Sequence, residues 1–579
     1  MRTASYIAFA LLTVALAGSC AKKPEPQARQ EADWPAFVQK FADDWFEAHP
    51  MMAFAAGRKE YAGRFPDWSA EGIAAEVKRL KVVAGQARDF DVAKLSDAQR
   101  FERNYLLSVV DRNLFWLEQA EWPFRNPTFY FDWGLDFLTP DPYLTKPYAP
   151  PAQRLQDFTK WLSHIPAATA QIQANLRTPM PRTWIDEGVA NFGGMVPFLR
   201  DDAPKAFAEV KDEALQKAYA DANGKAIAAF QGLADWLEAQ RATQTEDYAI
   251  GAELFSAMLK RTEGVDVPLD RLEAVGRADL ERNLAALDEA CREFAPGKDR
   301  KGCMARMNSH RPEGGAVEGA RAQLDMLRAF IVDHKIATIP SNDPIRVDQA
   351  PPYQATNFAY INPAGPYDVG MPSTYYIAPP DPSWPKAEQD AYTPGMADLM
   401  STSVHEVWPG HFLHSLHSNR AESLVARLFL GYAFTEGWAH YAEEMMWEAG
   451  LDGGLPGGRA EYRVGEVNKA LYRDVRYLCA IGMHTQGMKV EECERMFRED
   501  AFQDPGNARQ QAARGTYDPG YLNYTLGKLM IRKLRDDWTA TRGGREAWSS
   551  FHDTLLSFGG PPVPMVRKKM LGENAGPAL

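Results

Sequence analysis

The sequence VHEVWPGHFLH, residues 404–414, combines metal-binding side chains with helix-breaking residues. Five of the 11 histidines of the chain fall in the 36 residues that begin at His405, where random placement would put fewer than one. Metal binding is the common cause of such a cluster. The spacing within it needs an explanation, because Pro409 and Gly410 lie between His405 and the next histidine, His411.

Zinc peptidases with the pattern His-Glu-x-x-His place two histidines four residues apart, on one face of a helix. Here the second histidine follows after six residues. On a straight helix, His405 and His411 would lie about 120° apart around the axis and about 9 Å along it, too far for bonds of about 2.0–2.1 Å to one ion. Pro409 lacks an N–H, and Gly410 permits unusual backbone angles. The pair therefore predicts a bulge or break that turns both histidines toward one metal ion.

The residues around this pair supply the other parts of a hydrolytic site. Glu406 follows a predicted ligand directly, so its carboxylate can take a proton from water at the metal and act as general base. Glu436, in FTEGWAHYAEE, is the best candidate for a third ligand, because the 25-residue gap lets a second helix return alongside the first. His440, one turn further on, is either a hydrogen-bonding neighbour of a ligand or a competing ligand. Glu443 and Glu444 are weaker candidates.

Helical patterning dominates the rest of the chain. Residues 212–240 and 268–294 repeat apolar side chains at intervals of three and four, as amphipathic helices do. Residues 339–388 are instead rich in proline and tyrosine and predict short strands and loops just before the metal-binding helix. His414 and His417 are expected to face solvent on that helix. The predicted fold class is mainly α, with one large catalytic domain over residues 33–579.

The N-terminus predicts an exported lipoprotein. The apolar run YIAFALLTVALAG follows Arg2 and is too short to span a bilayer comfortably, which is typical of an export signal. It ends in AGSC, which resembles a lipobox although Ala17 replaces the more usual leucine. The interpretation is a signal peptide at 1–19, a lipidated Cys20 on the periplasmic face of an envelope membrane, and a flexible tether at 20–32. The alternative is an ordinary signal peptide with a chance cysteine.

Cysteine usage and charge add two further expectations. The remaining four cysteines form two close pairs, Cys291 with Cys303 and Cys479 with Cys493. Export permits disulfides in both pairs, and four buried thiols are the alternative. The chain of 579 residues has a formal net charge of −12, which argues against nucleic acid as its main partner.

HEVWPGH followed by EGWAHYAEE resembles the bacterial family known as domain of unknown function 885. Stretches from FEAHPMMAFAAG near the start to PGYLNYTLGK near the end are also similar, so the resemblance covers nearly all of residues 33–560. The family is regarded as a branch of zinc metallopeptidases of the glutamate-ligand type. It is distantly similar to thermostable carboxypeptidases and thimet-like oligopeptidases. The resemblance therefore implies a zincin-like helical fold, with two lobes around a deep central cleft.

The family's metal motif implies one Zn²⁺ per chain, with Glu406 as base and with three ligands: His405, His411 and Glu436. Its later motifs fall on Arg476, Gly482 and His484, and on Tyr524 and Gly527. This sequence departs from the family at two positions, because Ala480 replaces an aspartate and Phe412 replaces a second histidine.

Peptide hydrolysis suggests roles for three of these residues. Tyr524 or His484 could donate a hydrogen bond to the oxyanion, and Arg476 could hold a substrate carboxylate through paired hydrogen bonds. The alternatives are a buried tyrosine, a capping histidine and a structural ion pair.

The sequence thus predicts an exported zinc-dependent metallohydrolase that cleaves short peptides. Two other functions stay open. One is a non-catalytic envelope lipoprotein that binds peptide or peptidoglycan fragments, against which the intact Glu406 argues. The other is a zinc amidase acting on cell-wall peptides, which would use the same chemistry on a different substrate.

Overall fold

The computed structural model describes residues 33–131, 136–355 and 358–579. The signal peptide, Cys20 and the tether lie outside these residues. Twelve α-helices form the first part of the described chain: α1 Trp34–Ala48, α2 Pro50–Ala55, α3 Ala70–Arg88, α4 Asp97–Leu114, α5 Trp122–Arg125, α6 Asp141–Thr145, α7 Pro151–Asn175, α8 Arg182–Pro197, α9 Glu213–Ala239, α10 Ala252–Thr262, α11 Leu269–Phe294 and α12 Arg300–Ser309.

Twelve more α-helices follow in the described chain: α13 Ala316–Asp333, α14 Lys386–Tyr392, α15 Met396–Glu406, α16 His411–Ser418, α17 Leu424–Leu428, α18 Tyr432–Glu448, α19 Gly458–Thr485, α20 Val490–Glu499, α21 Pro505–Tyr517, α22 Asn523–Thr539, α23 Trp548–Ser557 and α24 Val563–Leu571. The protein is therefore mainly helical, as the sequence predicts. Nothing in the structure tests the boundary of a single domain at residue 33, which stays a prediction.

Side-chain caps fix several of these helices at the residue where the pattern of apolar positions begins. Ser96 precedes α4 and accepts a hydrogen bond from the Gln99 amide, while the Gln99 side chain accepts one from the Ser96 amide. This reciprocal pair satisfies two backbone N–H groups that the helix itself leaves without partners. Asp212 caps α9 in the same position, by accepting from the Leu215 amide. Long surface helices thus begin where the sequence places a capping residue before an apolar repeat.

A small sheet interrupts the helices just before the metal-binding segment. Its strands are β1 Ile345–Gln349, β2 Ala359–Asn362 and β3 Ser373–Ile377, in the order β1-β3-β2. β1 runs parallel to β3 with Val347 opposite Tyr375, and β2 runs antiparallel to β3 with Ile361 opposite Tyr375. Every residue of β3 is buried, as expected for the central strand of a covered sheet. The predicted strand and loop element is confirmed.

The centre of the molecule is formed by helices that are buried on nearly all sides. From Ala460 to His484, α19 has almost no exposed residue, and it packs along α11, α15 and α18. α18 packs along α22. Polar as well as apolar side chains of α19 are therefore buried between neighbouring helices.

Both predicted disulfides are present. Cys291, near the end of α11, pairs with Cys303 in α12. Cys479 in α19 pairs with Cys493 in α20. Each bond closes a short loop and ties two consecutive helices together.

Within the part of the chain that the structure describes, no helix is both long enough and apolar enough to traverse a bilayer.

Candidate metal centre

The two predicted histidine ligands lie on separate helices, not on one bulged helix. His405 is in the last turn of α15, and His411 is the first residue of α16. The four residues between the helices include a cis peptide bond before Pro409. The imidazole rings of His405 and His411 lie 4.7 Å apart, centre to centre, at an angle of 85°. The Pro–Gly pair therefore ends one helix and starts the next at a new angle, which brings the two imidazoles together.

Gly410 is required by the tightness of this break. Its amide donates to the carbonyl of Val404 at 2.9 Å. A Cβ atom at this position would lie 1.7 Å from the carbonyl oxygen of His405, far inside contact distance. Trp438 in α18 fixes the other side of the break, because its indole N–H donates to the carbonyl oxygen of Pro409 at 2.9 Å. The break is thus held by backbone contact on one side and by α18 on the other.

The third predicted ligand is positioned by the close crossing of α18 and α22. A Cβ on Gly437 would lie 2.4 Å from the Cα of Gly527, and a Cβ on Gly527 would lie 1.8 Å from the carbonyl oxygen of Ala433. The two helices therefore touch backbone to backbone, which only glycine permits. Glu436 precedes the first of these glycines, and Tyr524 lies one turn before the second. The crossing brings both side chains to the histidines.

The donor atoms of His405, His411 and Glu436 lie within 4.8 Å of one another. Glu436 Oε2 is 3.3 Å from Nε2 of each histidine. Two ligands about 2.0–2.1 Å from a tetrahedral ion lie about 3.3–3.4 Å apart, so this spacing suits zinc. Glu436 Oε2 is also buried without a hydrogen-bond partner among the described residues, as expected of an oxygen that a cation would satisfy. Two imidazoles and a carboxylate are a set that zinc takes in catalytic sites, so these residues fit the ion.

Glu443, which the sequence suggests as a weak ligand candidate, instead orients His405. The Nδ1–H of His405 donates to Glu443 Oε1 at 2.7 Å, which leaves the Nε2 lone pair for a metal. Arg473 also contacts Glu443 Oε1, at 3.2 Å, and lies 3.1 Å from His405 Nδ1. Arg473 Nη2 and His405 Nδ1 both carry a proton, so neither can accept from the other. The Glu443 carboxylate is the acceptor for both. Ser401 donates to the second oxygen of Glu443 at 3.3 Å.

His440 and Glu444 do not join the group of donor atoms. His440 Nδ1 lies 3.5 Å from Glu443 Oε2. Burial and the nearby charge of Lys528 lower the pKa of His440 to about 3, so the ring is neutral. Glu444 accepts a hydrogen bond from Arg282 at 2.6 Å and lies 2.9 Å from Lys528 Nζ. The competing-ligand interpretation of His440 is therefore wrong for this geometry, and Glu444 belongs to a buried ion-pair network.

Glu406, the predicted base, faces the open side of the site. It is the last residue of α15 and lines a cavity of about 520 Å³ together with His405, His411 and Glu436. No described residue donates a hydrogen bond to its carboxylate. Burial raises the pKa of Glu406 to about 7, although the charge of His411 opposes the shift. A carboxylate that is desolvated, unpartnered and beside the donor group has the properties of a general base.

Tyr524 lines the same cavity. Its ring stacks on that of His405 with 6.1 Å between centres. Arg514 Nη2 donates to its hydroxyl oxygen at 3.4 Å. Burial and the nearby Glu436 carboxylate raise the pKa of Tyr524. The hydroxyl therefore stays protonated and can donate a hydrogen bond into the cavity.

His484 does not reach the site, which corrects its predicted catalytic role. Its Nε2–H donates to the carbonyl of Gly515 at 2.7 Å, and the Ile250 amide donates to its Nδ1 at 3.4 Å. Burial lowers the pKa of His484 to about 4. With both ring nitrogens bound to backbone, and no part in the described cavity wall, His484 joins α19 to α21 structurally.

His414 differs from expectation, whereas His417 is only half-buried. His414 is buried and its Nε2–H donates to the carbonyl of Gly559 at 2.8 Å, so it does not face solvent. His417 donates to the carbonyl of Thr338 at the same distance. Neither belongs to the group of donor atoms. Their hydrogen bonds attach α16 to the segments of the same chain that contain Gly559 and Thr338.

The sequence matches, over residues 50–570, a family described as bacterial protein of unknown function, DUF885. The chain belongs to this family. No curated protein matches it.

Two solved structures are similar to this DUF885 chain. One is described as a candidate lipoprotein of unknown function from Shewanella oneidensis; it is 21% identical with a TM-score of 0.72, over 93% of this chain and 99% of the other. The second is a candidate lipoprotein from Colwellia psychrerythraea, 15% identical with a TM-score of 0.76, over 93% and 98%. At such identities the likeness shows the fold alone.

Three cavity or ligand-orienting residues of this DUF885 chain were missed or misassigned from sequence: Glu443, Arg473 and Arg514. A partial signal existed for two of them. Glu443 lies seven residues after Glu436, and Arg473 three residues before Arg476, so each shares a helix face with a predicted site residue. Arg514, on α21, has no such relation to the motif and could be found only from the fold.

Proposed function

We propose that the protein is a zinc-dependent peptidase that hydrolyses short peptides. The observation that carries the proposal is the convergence of His405, His411 and Glu436. Their donor atoms lie within 4.8 Å of one another. Glu436 Oε2 has no hydrogen-bond partner among the described residues, and the Glu406 carboxylate lines the same cavity. A purely structural metal site would be closed by four protein ligands, whereas this one has three and opens onto a space.

The ion supplies Lewis acidity and lowers the pKa of water when it is bound. Glu406 accepts the proton of the attacking water and later passes it to the leaving amine. The Tyr524 hydroxyl donates to the carbonyl oxygen as negative charge develops there. Glu443 fixes the ring of His405 in the tautomer that presents Nε2. The roles of base and oxyanion donor thus fall on two residues of one cavity wall, Glu406 and Tyr524.

The proposal includes the setting of the enzyme. We place it in the cell envelope, anchored through a lipidated Cys20 on the periplasmic face of a membrane. Its AGSC sequence and the description of two structural neighbours as candidate lipoproteins support this. The proposed architecture is zincin-like, with two helical lobes around a cleft. A cavity of about 520 Å³ suits a short peptide rather than a folded protein.

Exchange of Glu406 for glutamine tests the chemistry. The amide has nearly the same size but cannot accept a proton, so Glu406→Gln should retain zinc while turnover falls about 100- to 10,000-fold. Zinc content is measured by mass spectrometry of the metal. Turnover is measured by digestion of a peptide library, with and without chelator.

Glu448→Gln is the matched control, because Glu448 ends the same helix that carries Glu436 but does not line the cavity. It should retain both zinc and turnover. Loss of zinc from Glu406→Gln would make Glu406 a ligand and reopen the assignment of Glu436. Undiminished turnover in Glu406→Gln would refute the mechanism.

A further inference from the structure

Arg476 is a buried cation that forms no ion pair with any described carboxylate. It lies in α19, is 3% exposed, and lines the cavity of the metal centre. Its Nε–H donates to the side-chain oxygen of Gln511 at 2.8 Å. No carboxylate of the described residues lies within 4 Å of its guanidinium. Buried charges in proteins are almost always paired, so an unpaired arginine on a cavity wall indicates that the partner arrives with a ligand.

The other cations of the cavity wall differ from Arg476 in this respect. Arg473 pairs with Glu443 at 3.2 Å, Arg514 with Asp518 at 3.0 Å, and Lys469 with Asp398 at 3.0 Å. Each of these three therefore has an anionic partner within the fold. Arg476 is therefore the one cation of the described cavity wall that forms no ion pair with a described carboxylate.

Two tyrosine rings hold the Arg476 guanidinium in place. Its Cζ lies 4.5 Å from the ring centre of Tyr472 and 4.6 Å from that of Tyr524. Aromatic faces stabilise a cation, but they offer no acceptors for the two terminal nitrogens. A planar carboxylate would supply two acceptors in the geometry that a guanidinium matches.

We propose that Arg476 anchors a subsite for a substrate carboxylate, which selects peptides with a negative group close to the bond that is cut. The group is either the free C-terminus or an acidic side chain. This inference rests on the proposed peptidase function and adds to it a substrate class.

The distances limit how far that carboxylate is from the reaction. The ring of Tyr524 is stacked on His405 at 6.1 Å and contacts Arg476 at 4.6 Å. An extended peptide advances about 3.3–3.6 Å per residue. A carboxylate at Arg476 therefore belongs to a residue within about three positions of the scissile bond. A free C-terminus held there would make the enzyme release fragments of one to three residues.

The test measures binding separately from hydrolysis. Three peptides share one sequence with neutral side chains. The first has a free C-terminal carboxylate, and the second has a C-terminal amide. The third has the C-terminal amide and a glutamate in place of a glutamine near the C-terminus. Affinities for zinc-loaded Glu406→Gln protein are measured by calorimetry. A carboxylate-bearing peptide should bind about ten- to hundredfold tighter than the neutral amide, as for a hydrogen-bonded charge pair. The free acid and the glutamate peptide distinguish the two sources of the carboxylate.

Adding Arg476→Gln should reduce this difference to within about threefold while leaving the affinity of the neutral amide unchanged. Arg476→Lys keeps the charge but loses the paired N–H donors of the guanidinium, so it should retain part of the preference for carboxylate peptides. This variant replaces Arg476→Gln in the test if the glutamine variant folds poorly. Arg535→Gln is the matched control. Arg535 is also buried, lies 4.4 Å from the ring of Trp548, and pairs with Glu448 away from the described cavity wall.

Equal affinities for all peptides, or no binding of any, would overturn the subsite. A preference that persists in Arg476→Gln would do the same, because a purely structural arginine predicts this result. Failure of the peptidase proposal is separate. A protein that binds carboxylate peptides through Arg476 and hydrolyses none of them supports the subsite and refutes the peptidase. A protein that hydrolyses the acid and the amide equally well supports the peptidase proposal and refutes the subsite.

Discussion

At the scale of single residues, the candidate metal centre depends on the residues around His405, His411 and Glu436 as much as on these three. His405 is fixed through Nδ1 by Glu443, while His411 is fixed by its place as the first residue of α16. Gly410 lets the backbone of that turn approach His405 more closely than any side chain allows. The distance between the two imidazoles is therefore set by the backbone, and the direction of one ring is set by a carboxylate.

Removal of either histidine should remove the ion. His405→Ala or His411→Ala deletes one of three protein ligands, and both should lose stoichiometric zinc and turnover together. His414→Ala is the control, because its ring donates to the carbonyl of Gly559 and is absent from the donor group. It should retain zinc, at some cost in stability for the carbonyl left without a partner. Zinc per chain, measured on purified protein, decides the matter. Full zinc in His411→Ala would contradict the assignment.

Local chemistry made the break between the histidines predictable, but not its form. Proline and glycine indicate that a helix cannot continue, and the need to bring His405 and His411 together indicates where it must turn. Whether the chain bulges within one helix or starts a second one depends on contacts far away in sequence, such as that of Trp438 with the carbonyl of Pro409. Of the two forms that the sequence left open, a bulge and a break, the structure shows the break.

At the scale of helices, the amphipathic surface segments were predictable and the central helices were not. α11 has a regular apolar stripe, which marks its inward face. α19 is buried all around, so spacing could not say which of its side chains face the cavity. Arg476 lines the cavity, whereas His484, two turns further along the helix, does not. The contact between the glycines of α18 and α22 was equally hard to predict, because a glycine in a helix does not indicate which other helix packs against it.

The junction of α1 and α2 contains a buried histidine whose charge contributes to stability. His49 Nδ1 lies 2.9 Å from Asp136 Oδ2, and Nε2 lies 3.2 Å from Glu76 Oε1. Arg79 also pairs with Glu76, at 2.7 Å. Burial alone would lower the pKa of His49, but the hydrogen bond to Asp136 and the close carboxylate of Glu76 raise it to about 9. The folded state therefore holds this proton more tightly than the unfolded chain, where the pKa is 6.5.

The sign of the effect on stability follows from this difference. The contribution is fully present below pH 6.5 and is lost as the pH rises through about 9, with a size of at most about 3 kcal/mol. The thermal midpoint of the wild type should therefore fall across this range relative to that of His49→Gln, which has no such proton. Calorimetry at several pH values between 6 and 10 measures the difference. A constant difference between the two proteins would show that folding does not shift the pKa of His49.

At the scale of the whole molecule, one continuous hydrophobic core joins the helices before the sheet to those that carry the metal centre. Trp45 in α1 packs against Phe429, just before α18, with 4.8 Å between ring centres. Tyr105 in α4 donates a hydrogen bond to the carbonyl of the same Phe429. Helices more than 300 residues apart thus support the segment that leads to Glu436. This long-range support explains why the motif alone does not determine the site.

The N-terminal sequence predicts where the protein is located. An apolar run that ends in AGSC predicts lipid on Cys20, and more than one acyl chain is needed to hold a protein stably on a bilayer. Cys20→Ser should therefore move the protein from the membrane fraction to the soluble fraction without changing its zinc content. Cys303→Ser is the control: it removes the disulfide to Cys291 and lowers stability, but it should leave the protein membrane-bound. Mass spectrometry of the mature N-terminus gives the direct measurement. A chain that begins at Ala21 or later without acyl mass would mean that the signal is removed without lipidation, and a Cys20→Ser protein that stays with the membrane would place the anchor elsewhere.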